Sequence, residues 1–201
     1  MSLAGRILLL ARQLPGSAPS AWRVNRLRWV EGPRHQRIEI GLRTRFNVPV
    51  RSGGKGALLI GSENVFGWGP APRLGSGEIL LQPRARDAQV TIGKRNAFSN
   101  NISLVAMGNI VIGDGCLVGD QVTIFDCDFH EIDPRNRNRS VGPILPVMIG
   151  NNVWLGSRVM VLKGVTIGDN SIIAAASVVT KSIPSNCIAA GNPAKVIRSI
   201  E

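Results

Sequence analysis

The feature that most constrains this chain is a period of six. Ile149, Leu155, Val161, Ile167, Ile173 and Val179 stand six residues apart without a break, followed by Gly150, Gly156, Leu162, Gly168, Ala174 and Thr180. A second register runs through the same stretch: Val153, Val159, Val165, Ser171, Ser177 and Ile183, each small or branched. The same grammar occurs earlier at Ile112-Gly113, Val118-Gly119 and Ile124, at Ile92-Gly93 and Phe98, and more faintly at Ile60-Gly61 and Phe66-Gly67. This period fits neither the 3.6 residues of a helical turn nor the plain alternation of a strand. It fits hexads that each make a short strand and a corner, all corners turning the same way. Inward side chains then stack on their equivalents in the next coil, and parallel strands lie about 4.8 Å apart with their backbone groups paired above and below. The expected fold is all-β, a parallel β-helix.

Composition agrees. The 201 residues suit one domain with an appendage. Apolar residues make up 44% and charged residues 18%, too hydrophobic for disorder and too charged for a membrane bundle. Aromatics are only 4%, so Ile, Val and Leu carry the core, as stacked strands prefer. Lys and Arg number 24 against 13 Asp and Glu, a net charge of +11 that attracts nucleic acid, anionic lipid or phosphate-bearing ligands. Three Cys without CxxC spacing support neither a disulfide framework nor a Cys-rich zinc site, and the expected compartment is the reducing cytoplasm. The run Ile7 to Ala11, bracketed by Arg6 and Arg12, is too short to span a bilayer and lacks a cleavage site.

Residues 1–57 differ from the rest. Leu3, Ile7, Leu10 and Leu14 recur at helical spacing up to Pro15-Gly16, which predicts a short amphipathic helix. From Trp22 to Arg45, basic residues alternate with Trp22, Trp29 and Ile38. This segment is expected to cap one end of the core, the alternative being peripheral contact with an anionic membrane surface. The β-helix is expected over residues 58–201. Its phase breaks between Ile124 and Ile149, where Pro134, Pro143, Pro146 and the run Arg135-Asn136-Arg137-Asn138-Arg139 predict an ejected loop over residues 131–146.

The string Ile149-Gly-Asn-Asn-Val-Trp-Leu-Gly-Ser157, continued by Gly164-Val-Thr-Ile-Gly-Asp-Asn-Ser171, Ala175-Ala-Ser-Val-Val-Thr-Lys181 and Ala190-Gly-Asn-Pro-Ala-Lys195, resembles the hexapeptide-repeat acyltransferases. Within them it is most similar to the maltose, galactoside and polysaccharide O-acetyltransferase branch, over about residues 88–200. The resemblance implies a left-handed β-helix with three faces per coil, a homotrimer, acetyl-CoA as donor, and active sites in the clefts between subunits; no metal is expected.

Acyl transfer from a thioester to a hydroxyl needs a base, oxyanion donors and alignment of both substrates. His130 closes Ile124-Phe-Asp-Cys-Asp-Phe-His130 at the loop mouth, where the family's catalytic His is found, and His35 is the only other His. If residues 126–130 are extended, Asp126, Asp128 and His130 share one face, and Asp128 is the expected partner of the imidazole. By resemblance the oxyanion donor is Asn100, with Asn101 as its alternative, and backbone N–H near Gly156 or Ser157 contacts the thioester. By the same resemblance Trp154 lines the pantetheine arm, Ala175 and Thr180 contact it, and Lys181, Lys195 and Arg198 face the phosphates.

The expected activity is acetyl-CoA-dependent O-acetyl transfer to a saccharide hydroxyl, in the synthesis of a surface polysaccharide or lipopolysaccharide. N-acetylation of an amino sugar is the alternative within the enzyme class. A zinc-dependent carbonic anhydrase would need three His ligands where two His exist. A nucleic-acid-binding solenoid would explain the charge, but the Arg residues scatter and no recognition motif appears, so no nucleic-acid partner is expected. A purely structural solenoid would need neither His130 nor the loop.

Overall fold

The computed structural model describes residues 18–67 and 77–201; the helix expected around Leu3 to Leu14 lies outside them. Each coil contributes one short strand to each of three sheets. The first coil is β1 (Arg37–Ile40), β2 (Arg45–Phe46) and β3 (Val50–Arg51), and the second β4 (Ala57–Ile60), β5 (Val65–Phe66) and β6 (Ile79–Pro83). The third is β7 (Gln89–Ile92), β8 (Ala97–Phe98) and β9 (Ser103–Ala106), and the fourth β10 (Asn109–Ile112), β11 (Leu117–Val118) and β12 (Thr123–Phe125). The fifth is β13 (Val147–Ile149), β14 (Trp154–Leu155) and β15 (Met160–Val161), and the sixth β16 (Thr166–Ile167), β17 (Ile172–Ile173) and β18 (Val178–Val179). Every neighbouring pair within these six coils is parallel. β19 (Cys187–Gly191) adds a seventh parallel strand to the second sheet, and β20 (Ala194–Ser199) returns antiparallel along it.

The period predicted from sequence is the physical register of the core. Ile40, Ile60, Ile92, Ile112, Ile149 and Ile167 form one ladder row of the first sheet. Phe46, Phe66, Phe98, Val118, Leu155, Ile173 and Ala189 form a row of the second. Leu81, Leu104, Ile124, Val161 and Val179 form a row of the third. All but Ile40 are buried, and each large aliphatic rung contributes about 1.5–3 kcal/mol by leaving water. Phe66 stacks on Phe98 at 4.5 Å, so in these coils the row is filled by rings instead of branched chains.

Corners between the first and second sheets carry their own ladder. The amide of Asn64 donates to the carbonyls of Gly61 (2.9 Å) and Gly93 (2.8 Å), and its oxygen accepts the N–H of Asn96 (2.9 Å). Asn96 in turn accepts the N–H of Cys116 at 2.6 Å, and the Cys116 thiol donates to Gly150 O at 3.2 Å. Small polar side chains thus satisfy backbone groups that the turning chain would otherwise bury unpaired.

The β-helix starts at Arg37, where the sequence reading placed its beginning at residue 58. Ile38, Ile40 and Phe46 take up the rows of Leu58, Ile60 and Phe66, but arginines between them mask the pattern. Over this first coil lies α1 (Ala18–Arg26), extended by a π-helical turn Leu27–Glu31. Leu27 is fully buried, Ser20 Oγ accepts the N–H of Phe46 at 2.8 Å, and the Glu31 carboxylate accepts the N–H groups of Ser52 (2.5 Å) and Gly53 (2.9 Å). The helix covers the open end of the core through this buried face.

Candidate active site

β12 ends at Phe125, and the chain then leaves the edge between the third and first sheets, returning at β13. The ejected segment begins at Asp126, earlier than the expected residue 131. The extended run predicted for residues 126–130 is not formed, because Phe129 takes φ 61° and turns the chain. The three expected same-face residues therefore part company. Asp126 is fully buried and accepts the N–H groups of Met107 (2.8 Å) and Gly108 (2.7 Å), fastening the loop stem to the coil below. Asp128 is exposed and forms an ion pair with Lys163 from the corner above. Leu145 closes the stem, donating to Asp126 O (2.9 Å) and accepting from Gly164 N–H (3.1 Å).

His130 is exposed on this loop, and its Nδ1 lies 3.1 Å from the carbonyl oxygen of Arg137. A carbonyl only accepts, so the bond requires a proton on Nδ1, which leaves the lone pair of a neutral imidazole on Nε2. The orienting group is a main-chain carbonyl of the loop, not the expected Asp128. Phe129 beside it meets Phe125 edge-on at 5.3 Å and lies 4.7 Å beneath the Arg84 guanidinium, fixing the hinge. The arginine run shapes the loop: Arg137 Nη2 donates to Ile132 O at 3.2 Å, and Arg135 pairs with Asp133, holding that carboxyl below the usual range.

The oxyanion assignments fare differently. Asn100 is fully buried inside the coil, and its main-chain carbonyl accepts the N–H of Gln121 at 3.0 Å, so its side chain does not face a groove of this chain. Asn101 is the corner residue beside it, with φ 56°, donating to Asp120 at 3.1 Å. Of the two N–H groups expected near the thioester, at Gly156 or Ser157, that of Gly156 is engaged within the coil by the carbonyl of Ile173 at 2.8 Å. A Cβ at Gly156 would stand 2.6 Å from the Ala175 nitrogen, so the corner from Gly156 and Ser157 to Ala175 can form only with glycine there.

The remaining expected residues fall into two groups. Leu117, Trp154, Ile172, Ile188 and Arg198 form one row along the outer face of the second sheet, with Trp154 51% exposed. Trp154 and Arg198 stand three strands apart, about 14 Å, and Lys195, exposed opposite Ala190, lies beside that row. Gly156, Ser157 and Ala175 continue it at the adjoining corner. Thr180 and Lys181 instead follow β18 onto the same edge as the His130 loop, where Lys181 is the equivalent of Lys163 one coil on. In a three-sided prism that edge is opposite the second sheet, so one chain does not unite His130 with Trp154.

Among the described residues, the other titratable groups offer no rival centre. Burial pushes the Cys116 thiol up to about 11 and raises Cys127 as well, so neither is a ready thiolate. His35 belongs to the capped end, its Nδ1 3.0 Å from Gly56 O. Among the described residues no group of three or more His, Cys, Asp or Glu is placed to hold a metal, and no helix is long and apolar enough to cross a membrane. The sequence reading missed Lys163 and Arg137; the first was masked by its distance in sequence from Asp128, and the second acts through its backbone.

Residues 146–181 match the family model "Bacterial transferase hexapeptide (six repeats)". These 36 residues, from just before β13 to just past β18, are where the chain carries that family's repeat. Galactoside O-acetyltransferase of Escherichia coli is 45% identical over 107 residues, 53% of this chain and 52% of that protein. The Lactococcus lactis galactoside O-acetyltransferase is 45% identical over 100 residues, 50% of this chain and 48% of its own length. The chain thus spans about half the length of the curated relatives it matches. Among solved structures, a polysialic acid O-acetyltransferase superposes with TM-score 0.64 at 28% identity, over 81% of this chain and 74% of that one. A galactoside acetyltransferase in complex with coenzyme A gives 0.52 at 33%, over 78% and 66%. The prism is the left-handed β-helix of these acetyltransferases.

Proposed function

We propose that this hexapeptide-repeat protein is an acetyl-CoA-dependent O-acetyltransferase acting on a saccharide hydroxyl, with His130 as general base. The observation that carries the reading is the Nδ1 contact to the Arg137 carbonyl, which leaves Nε2 basic and exposed at the mouth of the loop. Nε2 takes the hydroxyl proton as the oxygen attacks the acetyl carbonyl. The tetrahedral intermediate then collapses, breaking the C–S bond, and the imidazolium returns its proton to the departing thiolate. Apolar Trp154, Ile172 and Ile188 leading to Arg198 and Lys195 match an apolar arm with phosphates at one end. Since these lie opposite the His130 edge, the complete site is read as formed between copies, supporting the homotrimer. Likeness to galactoside and polysialic acid O-acetyltransferases supports a saccharide acceptor, with a surface polysaccharide or its precursor as our choice.

The test is release of free thiol from acetyl-CoA in the presence of a panel of sugars, nucleotide sugars and oligosaccharides. We expect release with at least one hydroxyl acceptor and loss of it in His130→Ala. Release confined to amino sugars would replace O- by N-acetylation, and turnover undiminished in His130→Ala would overturn the assignment.

A further inference from the structure

The net charge of the chain is not spread over the prism. Residues 18–67 hold nine Lys and Arg against three Glu, a net of +6, whereas residues 77–201 hold twelve against ten, a net of only +2. One of those three glutamates, Glu31, binds the backbone of Ser52 and Gly53 and pairs with Arg26 at 3.5 Å, while Glu39 pairs with Arg37 and Glu63 with Arg43, which leaves Arg23, Arg28 and Arg34 outside these ion pairs. The excess is thus concentrated around the α1 cap and the first coils, away from the His130 loop.

The same end carries apolar side chains that are exposed among the described residues. Trp22 is 65% exposed, Trp29 77%, Val30 54% and Leu42 84%. Trp22 and Trp29 are seven residues apart on one helical segment, two turns that bring them to one side, while Ser20 and Leu27 point into the fold. Arg28, Arg34 and Arg43 are exposed around them. Beside Trp22 a cleft of about 100 Å³ is walled by Arg23, Arg26 and Arg51, a size and charge suited to a phosphate. Arg23 is braced there by its bonds to Phe46 O (3.1 Å) and Asn47 O (2.6 Å), and Arg51 by Glu78.

We propose that this capped end is a docking surface for an anionic lipid bilayer. Indole rings at the level of the headgroups, aliphatic Val30 and Leu42 beyond them, and guanidinium groups for lipid phosphates are the elements of a peripheral membrane contact. A nucleic acid would satisfy the arginines but leave Val30 and Leu42 without a use, which decides between the two polyanions. Docking of this end would hold the prism against the leaflet with its loop edge free.

The experiment is co-sedimentation of the full chain with vesicles of phosphatidylcholine alone, and of phosphatidylcholine with about one third phosphatidylglycerol, at low and high salt. We expect binding to the anionic vesicles only, weakened by salt, with a blue shift of tryptophan emission. Trp22→Ala/Trp29→Ala should reduce partitioning about tenfold, and Arg28→Glu/Arg34→Glu by about fivefold or more per cation removed. Unchanged circular dichroism and melting of both variants, expected for exposed positions, ensure that loss of binding is not loss of fold. Absence of binding, equal binding to neutral vesicles, or indifference to both double variants would overturn the proposal. So would displacement from the vesicles by a single-stranded RNA that binds both variants as well as it binds the native chain. None of these readouts requires turnover, so the proposal stands or falls apart from the acetyl-transfer reading.

Discussion

At the scale of single residues, the geometry separates His130 from the carboxylates next to it. Since Asp128 answers Lys163 and Asp126 answers the backbone of Met107 and Gly108, neither is needed to orient the ring. We expect His130→Ala to lower turnover by about 10²–10⁴, the range for loss of a general base, while Asp128→Asn lowers it less than about tenfold. Steady-state rates for both variants check this; equal losses would restore Asp128 to the role first read for it. Cys116 supplies a second residue-level expectation. Its folded-state thiol is raised to about 11 from an ordinary value of 9.0, so the native state disfavours ionisation. The sign follows: this contribution, about 2–3 kcal/mol, is complete below pH 9 and disappears as pH rises towards 11. Denaturant titrations across that window should lose stability in the native chain, and Cys116→Ser should flatten the loss. The place of His130 on an ejected loop was legible in sequence, because position beside a break in the repeat is a sequence property. Its partner was not: Arg137 contributes a carbonyl that any residue would possess, and only the loop's path brings it to the ring.

At the scale of elements, legibility depended on whether a segment's period was bare or overlaid. From β13 to β18 the aliphatic rungs are uninterrupted and the strands fall where six-residue spacing puts them. In the first coil the same rows are filled by Ile40 and Phe46, but Arg37, Arg43 and Arg45 on the outside hid the boundary at residue 37. The extended reading of residues 126–130 failed because alternation assumes every residue stays in the β region, and Phe129 does not. Corners, too, were read as places for small residues, whereas Asn64, Asn96 and Cys116 form a hydrogen-bonded column. Asn64→Ala removes its bonds to Gly61, Gly93 and Asn96, and leaves buried partners unsatisfied. Chemical denaturation should show a loss of about 1–3 kcal/mol, with little change in turnover. A neutral result would mean that water replaces the amide.

At the scale of the whole molecule, the separation of the His130 edge from the Trp154 face makes association part of the functional reading. Trp154→Ala is expected to raise the KM for acetyl-CoA more than that for acceptor, by about tenfold for loss of a half-exposed indole from a ligand surface. Equal changes in both constants, or a shift in sedimentation coefficient alone, would assign Trp154 to packing between copies instead. The scale also explains what the sequence could not disclose. The basic residues around Trp22 and Trp29 were legible in sequence, and what the folded prism adds is that both indoles stay exposed at one end while Leu27 of the same segment is buried.

The antiparallel return of β20 along β19 has a consequence for how such a solenoid stays finite. A stack of parallel strands exposes, at its last rung, a template for another identical rung, and repetition of that step is how fibrils grow. A strand running the opposite way presents the wrong spacing of donors and acceptors to an incoming parallel coil, while α1 obstructs the other extremity. Growth by endless addition is thereby blocked along the second sheet at one tip and obstructed by the helix at the other.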